Sequence, residues 1–159
     1  MTINENLYPT HEDYDGLRRI AEYTNAAAHA KGFGEEGDLL RLEVTAAEID
    51  GDKTKILQAK TNLRNYYGNR LMLIVGEIAE AHEELRLGKD FAERYYSGEP
   101  FTHDDDKFEG KPEGVPSELA DVVIRAFNLA YEANIDLASV IEEKLAYNAT
   151  RPRMHGKKF

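Results

Sequence analysis

The sequence predicts an all-α protein, and two observations support that prediction. Apolar residues recur at intervals of three and four over several segments, which is the period of an amphipathic helix. No segment of similar length alternates apolar and polar residues, as a half-buried strand would. A chain of 159 residues is also about the size of one ordinary domain. We therefore expect residues 1–159 to form a single helical bundle.

Helix boundaries follow from the periodicity and from capping or breaking residues. The periodicity predicts helices over residues 14–31, 38–49, 54–67, 69–87, 118–133 and 137–150. Gly32, Gly68 and Pro152 are natural stops, because glycine closes helices and proline cannot continue one. Ser117 and Asp136 precede the last two helices and are expected to be their N-caps.

Two predicted helices have strong apolar stripes that are expected to face the core. The stripe of residues 69–87 comprises Leu71, Ile74, Val75, Ile78, His82 and Leu85. The stripe of residues 118–133 comprises Leu119, Val122, Val123, Ala126, Phe127 and Ala130. Between these helices, residues 97–116 are rich in Asp, Glu, Gly, Lys and Pro, which predicts a long flexible insertion. Residues 153–159 form a basic tail.

Composition excludes several classes of function. A formal charge of −10 disfavours binding to a nucleic-acid polymer, because such binding depends on neutralising phosphates with Lys and Arg. The chain has no Cys, which excludes thiolate chemistry and fits a reducing compartment, so we expect a cytoplasmic protein. No apolar run is long enough to span a bilayer, so no membrane association is expected.

Two acidic pairs are the strongest functional signal. Glu77 and Glu80 are three residues apart, as are Glu118 and Asp121, so each pair lies on one side of its helix. Both pairs border an apolar stripe, so packing of the two helices would bring four carboxylates together near the core, where a cation must compensate their repulsion. Hard oxygen ligands favour Mg²⁺, with Mn²⁺ able to substitute. Glu84, one turn beyond Glu80, is a further candidate, either as a residue that hydrogen-bonds the ligands or as a ligand in place of Glu77.

A di-iron centre is the main competing metal site for a helical bundle. Proteins of that class take Glu-x-x-His motifs from two helices. None of the five histidines has Glu three residues before it. The sequence therefore disfavours iron at the carboxylates.

Four stretches together resemble one family, the MazG-like all-α nucleoside triphosphate pyrophosphohydrolases, which include dimeric dUTPases and dCTP pyrophosphatases. Residues 73–81 (LIVGEIAEA) are similar to its first acidic motif, and residues 117–123 (SELADVV) to its second. Residues 134–137 with 143–152 resemble its closing helix, and residues 31–33 the end of its first helix. The interval between the two acidic motifs is longer than is usual in the family.

The resemblance implies a fold, a reaction and a set of site residues. The expected reaction is Mg²⁺-dependent hydrolysis of a (deoxy)nucleoside triphosphate between the α and β phosphates, for nucleotide-pool sanitation or adjustment. The metal ligands would be Glu77, Glu80, Glu118 and Asp121, with Glu77 or Glu80 activating water. The resemblance also implies a homodimer or homotetramer in the cytoplasm, or in the host cytoplasm for a phage-encoded member.

Substrate contacts are expected from two other helices. Lys144, Asn148 and Arg151 fall at i, i+4 and i+7 and form one row that could bind phosphates. The alternative is structural, because basic residues near a helix C-terminus interact favourably with the helix dipole. Asn25 and His29 share a face of the first helix, and Phe33 could stack on a base. The alternative is that Asn25 and His29 are polar surface residues and Phe33 is a core aromatic. The preferred base stays open between guanine, a pyrimidine and a damaged base.

Two other functions compete with pyrophosphohydrolysis. A helical bundle of the same fold could serve as a non-catalytic nucleotide-binding or regulatory module. A triphosphate-releasing dNTPase would use similar metal chemistry but would produce a nucleoside.

Overall fold

The computed structural model describes residues 8–152, and this part of the chain is mostly helical with a small antiparallel β portion. The helices are α1 (His11–His29), α2 (Glu35–Asp50), α3 (Lys53–Arg86), α4 (Val115–Glu132) and α5 (Leu137–Thr150). The strands are β1 (Tyr95–Ser97), β2 (Phe101–His103), β3 (Asp106–Phe108) and β4 (Lys111–Glu113). The basic tail at 153–159 lies outside the described residues.

The helices predicted over residues 54–67 and 69–87 are one continuous helix, α3, of 34 residues. The predicted break at Gly68 is wrong. A glycine inside a helix costs only about 1 kcal/mol relative to alanine. Tyr66 and Arg70, on either side of Gly68, both bind α4, so tertiary contacts hold the helix together across the glycine. Asp52 caps the start of α3 by accepting from the backbone N–H groups of Thr54 and Lys55.

The insertion predicted to be a flexible loop is instead a β-ribbon. β1 pairs with β4 and β2 pairs with β3, all antiparallel, so residues 95–113 fold back on themselves around Asp104 and Asp105. The rings of Phe101 and Phe108 stack across β2 and β3 with centroids 4.9 Å apart. The strands are only three residues long, too short for a recognisable alternation in the sequence.

The start of α4 also differs from the prediction. The helix begins at Val115 after Gly114, with Pro116 in its first turn, where proline is tolerated. Ser117 is therefore inside the helix and is not its N-cap. Its hydroxyl donates to the carbonyl of Pro112 at 2.9 Å. The predicted cap of α5 is confirmed, because the Asp136 carboxylate accepts from the backbone N–H of Ser139.

The helices pack in the order α2, α3, α4, α1, with α5 mainly against α1. Contacts pair Tyr66 with Glu132, Arg70 with Asn128, and Glu77 with Arg125. Residue numbers rise along α3 as they fall along α4, so the two helices are antiparallel. The interface between α3 and α4 contains a row of polar side chains. The antiparallel packing places the two acidic motifs opposite each other.

The predicted apolar stripe on the second half of α3 does not form the core of the described chain. Leu71, Val75 and Ile78 are 55%, 53% and 48% exposed, and His82 and Leu85 are exposed too. The buried face of this part of α3 instead includes Glu77 and Ala81. On α4, Phe127 and Ala130 are buried as predicted, whereas Leu119 and Val123 are exposed. The aliphatic face of α3 is therefore exposed in the described chain.

Among the described helices, none combines the length and the apolar character needed to cross a membrane.

Candidate metal centre

Three of the four predicted carboxylates converge in the structure. Glu77 on α3 and Glu118 and Asp121 on α4 can each offer one oxygen such that all three atoms lie within 4.8 Å of one another. Glu77 and Glu118 are buried, with 7% and 8% exposure, and Asp121 is half-buried. Unpaired charges are strongly disfavoured in such surroundings. The cluster could therefore bind a metal ion.

Helix geometry explains how these side chains meet. Glu118 and Asp121 are three residues apart and lie on the same side of α4. The antiparallel packing of α3 brings Glu77 to that side, and the following helical turn of α3 carries Glu80. Rigid helices thus supply all of the predicted acidic side chains.

Glu118 is the carboxyl group of the cluster whose pKa is raised. Burial raises the pKa of Glu118 from 4.5 to about 6, and the charge on Glu80, hydrogen bonding with Glu77 and the charge on Asp121 act in the same direction. Glu80 is exposed and is not a member of the three-residue cluster, although it is close enough for its charge to act on Glu118. Its position at the rim separates Glu80 from the other three carboxylates.

Arg125 partly compensates the negative charge. Its Nε lies 2.7 Å from the Glu77 carboxylate, and its own side chain is 41% exposed. Arg125 lies one turn after Asp121 and two turns after Glu118, on the same face of α4. Arg125 was not among the residues predicted from the sequence, although its spacing from Glu118 and Asp121 is visible there.

The donor set fits a hard divalent cation. All three side chains offer carboxylate oxygens, which Mg²⁺, Mn²⁺ and Ca²⁺ prefer. The three oxygens of the cluster lie within 4.8 Å of one another, so Glu77, Glu118 and Asp121 would hold such a cation together. Glu77 would exchange its contact with Arg125 for the cation.

A cavity of about 250 Å³ lies beside the cluster and is formed by α1, α3 and α4. Its lining residues are Thr24, Ala28, Phe33, Arg70, Asp121, Ile124, Arg125 and Asn128. Two guanidinium groups and one carboxylate of the cluster thus line the same cavity. The cavity could accept an anionic group beside the arginines and an apolar or aromatic group beside Phe33.

The walls of this cavity are held by a buried polar network. The side chain of Asn128, 4% exposed, accepts from Arg70 and donates to Asn25 Oδ1 at 3.3 Å. Arg70 also forms an ion pair with Glu132 at 3.2 Å, and Tyr66 donates to the same carboxylate at 2.9 Å. Burial, followed by the Glu132 contact, raises the pKa of Tyr66 to about 12. The network joins α1, α3 and α4.

The structure separates the three residues predicted to bind the base. Phe33 lines the cavity and is 63% exposed. Asn25 reaches the wall of the cavity through Asn128. His29 is turned toward α2: its Nε2 lies 3.1 Å from Asp38, and its Nδ1 lies 3.0 Å from the carbonyl of Asn25. His29 therefore ties α1 to α2 in the described chain.

The predicted phosphate row lies away from the cluster of its own chain. Lys144, Asn148 and Arg151 are exposed residues of α5 and its C-cap. The start of α5 is held to the middle of α1, where Arg18 donates to Asp136. α5 then extends along the N-terminal part of α1, whereas the cavity is lined by Thr24 and Ala28 of the C-terminal half of α1 and by Phe33 after it. Among the described residues, Arg70 and Arg125 are the cationic side chains that line the cavity.

Glu84 does not hydrogen-bond the predicted ligands in the part of the chain that the structure describes. Its carboxylate accepts a hydrogen bond from Tyr95 Oη of β1 at 3.1 Å. Glu84 therefore fastens the β-ribbon to α3.

Comparison with known proteins does not place the chain in a family. No family model matches it, and neither a curated protein nor a solved structure matches it significantly. The relationship inferred from the acidic motifs stays a prediction.

Proposed function

We propose that this protein is a Mg²⁺-dependent nucleoside triphosphate pyrophosphohydrolase of the MazG-like type. The observation that carries the proposal is the convergence of Glu77, Glu118 and Asp121 on two packed helices beside a cavity that contains two arginines. A structural role does not account for the cluster well, because burying carboxylates together costs stability unless a cation joins them. The acidic motifs of the sequence support the same assignment.

The cavity supplies the groups that a nucleotide needs. Arg70 and Arg125 offer planar donors for phosphate oxygens that the metal does not neutralise. Phe33 offers an aromatic face in the same cavity, where a base or sugar would lie. The distribution of charge therefore orients the substrate with its phosphates toward Asp121.

The proposed reaction breaks the anhydride bond between the α and β phosphates. A Mg²⁺ ion bound by the three carboxylates would polarise phosphoryl oxygens and acidify a water molecule. Water adds its oxygen to the α phosphorus, and the products are a nucleoside monophosphate and pyrophosphate. We assign Glu80 to accept the water proton, because it borders the cluster while Glu77 is buried and paired with Arg125. Arg125 and Arg70 hold the departing phosphates.

Product analysis tests this proposal. We expect the protein to release pyrophosphate from at least one member of a panel of natural and damaged dNTPs in the presence of Mg²⁺, and to stop when EDTA is added. Mass spectrometry should show the nucleoside monophosphate. A nucleoside with inorganic triphosphate would indicate the dNTPase alternative, and binding without any turnover would indicate the non-catalytic module.

Self-association forms part of the proposal. The exposed stripe on α3 runs from Leu71 to Leu85, about 21 Å along the helix axis. Large exposed apolar patches usually mark interaction sites, and a two-fold dimer buries the same stripe of both copies against itself. The second copy is therefore the expected occupant, giving a homodimer or a dimer of dimers.

Analytical ultracentrifugation measures this assembly. We expect a dimer or tetramer at micromolar concentration, and a shift to monomer in the double variant Leu71→Glu/Leu85→Glu. A wild-type protein that sediments only as a monomer at tens of micromolar would contradict the assignment of this stripe.

A further inference from the structure

The β-ribbon of residues 95–113 is fixed at its base to both helices that carry the carboxylates. On the α3 side, Tyr95 Oη donates to Glu84 at 3.1 Å. On the α4 side, Ser117 Oγ donates to the carbonyl of Pro112 at 2.9 Å. Gly114 joins β4 to α4 with φ of 97°, and a Cβ at this position would lie 2.5 Å from the Glu93 carbonyl oxygen. The junction is therefore tightly packed and needs glycine.

One face of the ribbon base turns toward the carboxylate helices. Tyr95 is directly opposite Glu113, and Ser97 is directly opposite Lys111. Residues opposite each other in an antiparallel pair project from the same face, as do residues two apart on one strand. These four side chains therefore share a face, and the contact of Tyr95 with α3 shows which way that face is turned.

Lys111 is the cation on this face. Its Nζ lies 2.9 Å from the Glu113 carboxylate, and its side chain is 71% exposed. The hydrogen bond with Glu113 is the main cause that raises the pKa of Lys111, and the charges of Glu113, Glu118 and Asp121 add to it. Geometry agrees, because the hydrogen bond between Ser117 and Pro112 joins the residue next to Glu118 to the residue next to Lys111.

We propose that Lys111 binds the phosphate chain of the substrate held at the carboxylate cluster. This inference rests on the proposed function, and it assigns a substrate contact to a segment that the sequence analysis described only as a flexible insertion. The Lys111 side of the pair with Glu113 is 71% exposed, so water screens the attraction between the two charges, and the ammonium group can exchange Glu113 for a phosphate oxygen. A flexible side chain with a compact charge suits a phosphate chain.

A purely electrostatic role of Lys111 would affect binding of the cation instead of binding of the phosphate chain. If Lys111 only balanced the negative charge of Glu118 and Asp121, its removal would strengthen binding of a divalent cation and would leave phosphate binding unchanged. As a phosphate ligand, Lys111 contributes little to binding of the cation alone and much to binding of the phosphate chain.

Calorimetric titration with inorganic triphosphate and saturating Mg²⁺ tests the proposal. This probe carries the phosphate chain without a base, so its binding does not depend on which nucleotide is hydrolysed. We expect Lys111→Ala to weaken triphosphate binding by about 10- to 100-fold, as for other hydrogen bonds to a charged group. Binding of Mn²⁺ alone should change less than about threefold. Lys107→Ala removes the same charge from β3 of the ribbon and is expected to leave both affinities near those of the wild type.

Lys111→Arg is the control for misfolding. It keeps the positive charge and should retain most of the affinity for triphosphate. Equal triphosphate binding by Lys111→Ala and wild type would overturn the proposal, as would equal losses in Lys111→Ala and Lys107→Ala or no triphosphate binding by wild type. Nucleotide hydrolysis that is insensitive to Lys111→Ala would reject this inference alone. Lys111-dependent triphosphate binding without hydrolysis of any nucleotide would reject the proposed function alone.

Discussion

Replacing Glu118 with Gln is expected to reduce nucleotide hydrolysis by about 10³-fold, the equivalent of roughly 4 kcal/mol of transition-state stabilisation. Gln keeps the size of the side chain and removes one of the three charges that would hold the cation. Initial rates of pyrophosphate release at saturating Mg²⁺ measure the effect. Glu143→Gln, an exposed position on α5, is the matched control and should retain wild-type activity.

The same substitution should not destabilise the metal-free protein at neutral pH. The folded protein holds the pKa of Glu118 at about 6, above its ordinary value of 4.5, so this carboxyl stabilises the fold fully below pH 4.5. That contribution is lost as the pH rises through about 6, because the buried group must then ionise. Gln cannot ionise, so the stability of the variant relative to wild type should increase from pH 4.5 to pH 7.

Urea unfolding in the presence of EDTA measures the difference in stability between Glu118→Gln and wild type. The same experiment with Mg²⁺ in place of EDTA measures how much the metal stabilises each protein. Mg²⁺ should stabilise the wild type and have little effect on Glu118→Gln, because only the folded wild type offers the complete site. A variant that is inactive and also strongly destabilised in EDTA would show that Glu118 has a structural role. Full activity in Glu118→Gln would refute the assignment of the cluster.

Replacing Arg70 with Met is expected to destabilise the fold by about 3–5 kcal/mol. The Glu132 side chain is fully buried, and Arg70 is its charged partner at 3.2 Å. Removing the guanidinium leaves a buried negative charge with only Tyr66 as a donor among the described contacts. Chemical denaturation of the metal-free protein gives the change in free energy of unfolding.

Two further variants separate the cause of this loss. Adding Glu132→Gln to Arg70→Met should recover part of the stability, because the uncompensated charge is then gone. Lys60→Met breaks a surface pair with Glu48 whose members are 51% and 50% exposed, and should cost about 1 kcal/mol or less. Similar losses in Arg70→Met and Lys60→Met would contradict the view that a buried network joins α3 to α4.

Local rules predicted much of the candidate site from the sequence. The spacing of Glu118 and Asp121 places both on one side of α4 whatever the helix packs against, and the capping residue Asp136 was recognisable for the same local reason. Arg125 continues the polar face of Glu118 and Asp121 at helical spacing. It could have been found by following that face along the helix.

Properties that depend on packing between elements were not readable. The apolar stripe from Leu71 to Leu85 was expected to be core, but the structure turns the Glu77 face inward, because polar pairs such as Arg70 with Asn128 satisfy the interface with α4. The side-chain pattern of a helix shows which residues share a face but does not show which partner covers it.

The β-ribbon was missed for a different reason. Its strands have three residues each, and its stability comes from pairing between residues such as Phe101 and Phe108, which are distant in sequence and stacked in space. Glycine, proline and acidic residues in the same segment resemble a flexible loop. Consequently Lys111 could be placed near the carboxylates only from the structure.

The proposed function depends on joint binding of a divalent cation by Glu77, Glu118 and Asp121. Electron paramagnetic resonance of Mn²⁺ titrated into the protein tests it most directly, because the spectrum distinguishes bound from free ion without requiring a substrate. We expect Mn²⁺ to bind wild type, to be displaced by Mg²⁺, and to bind at least tenfold more weakly to Glu77→Gln, Glu118→Gln and Asp121→Asn, with Glu143→Gln unchanged. Equal Mn²⁺ binding by wild type and all three cluster variants would contradict joint binding.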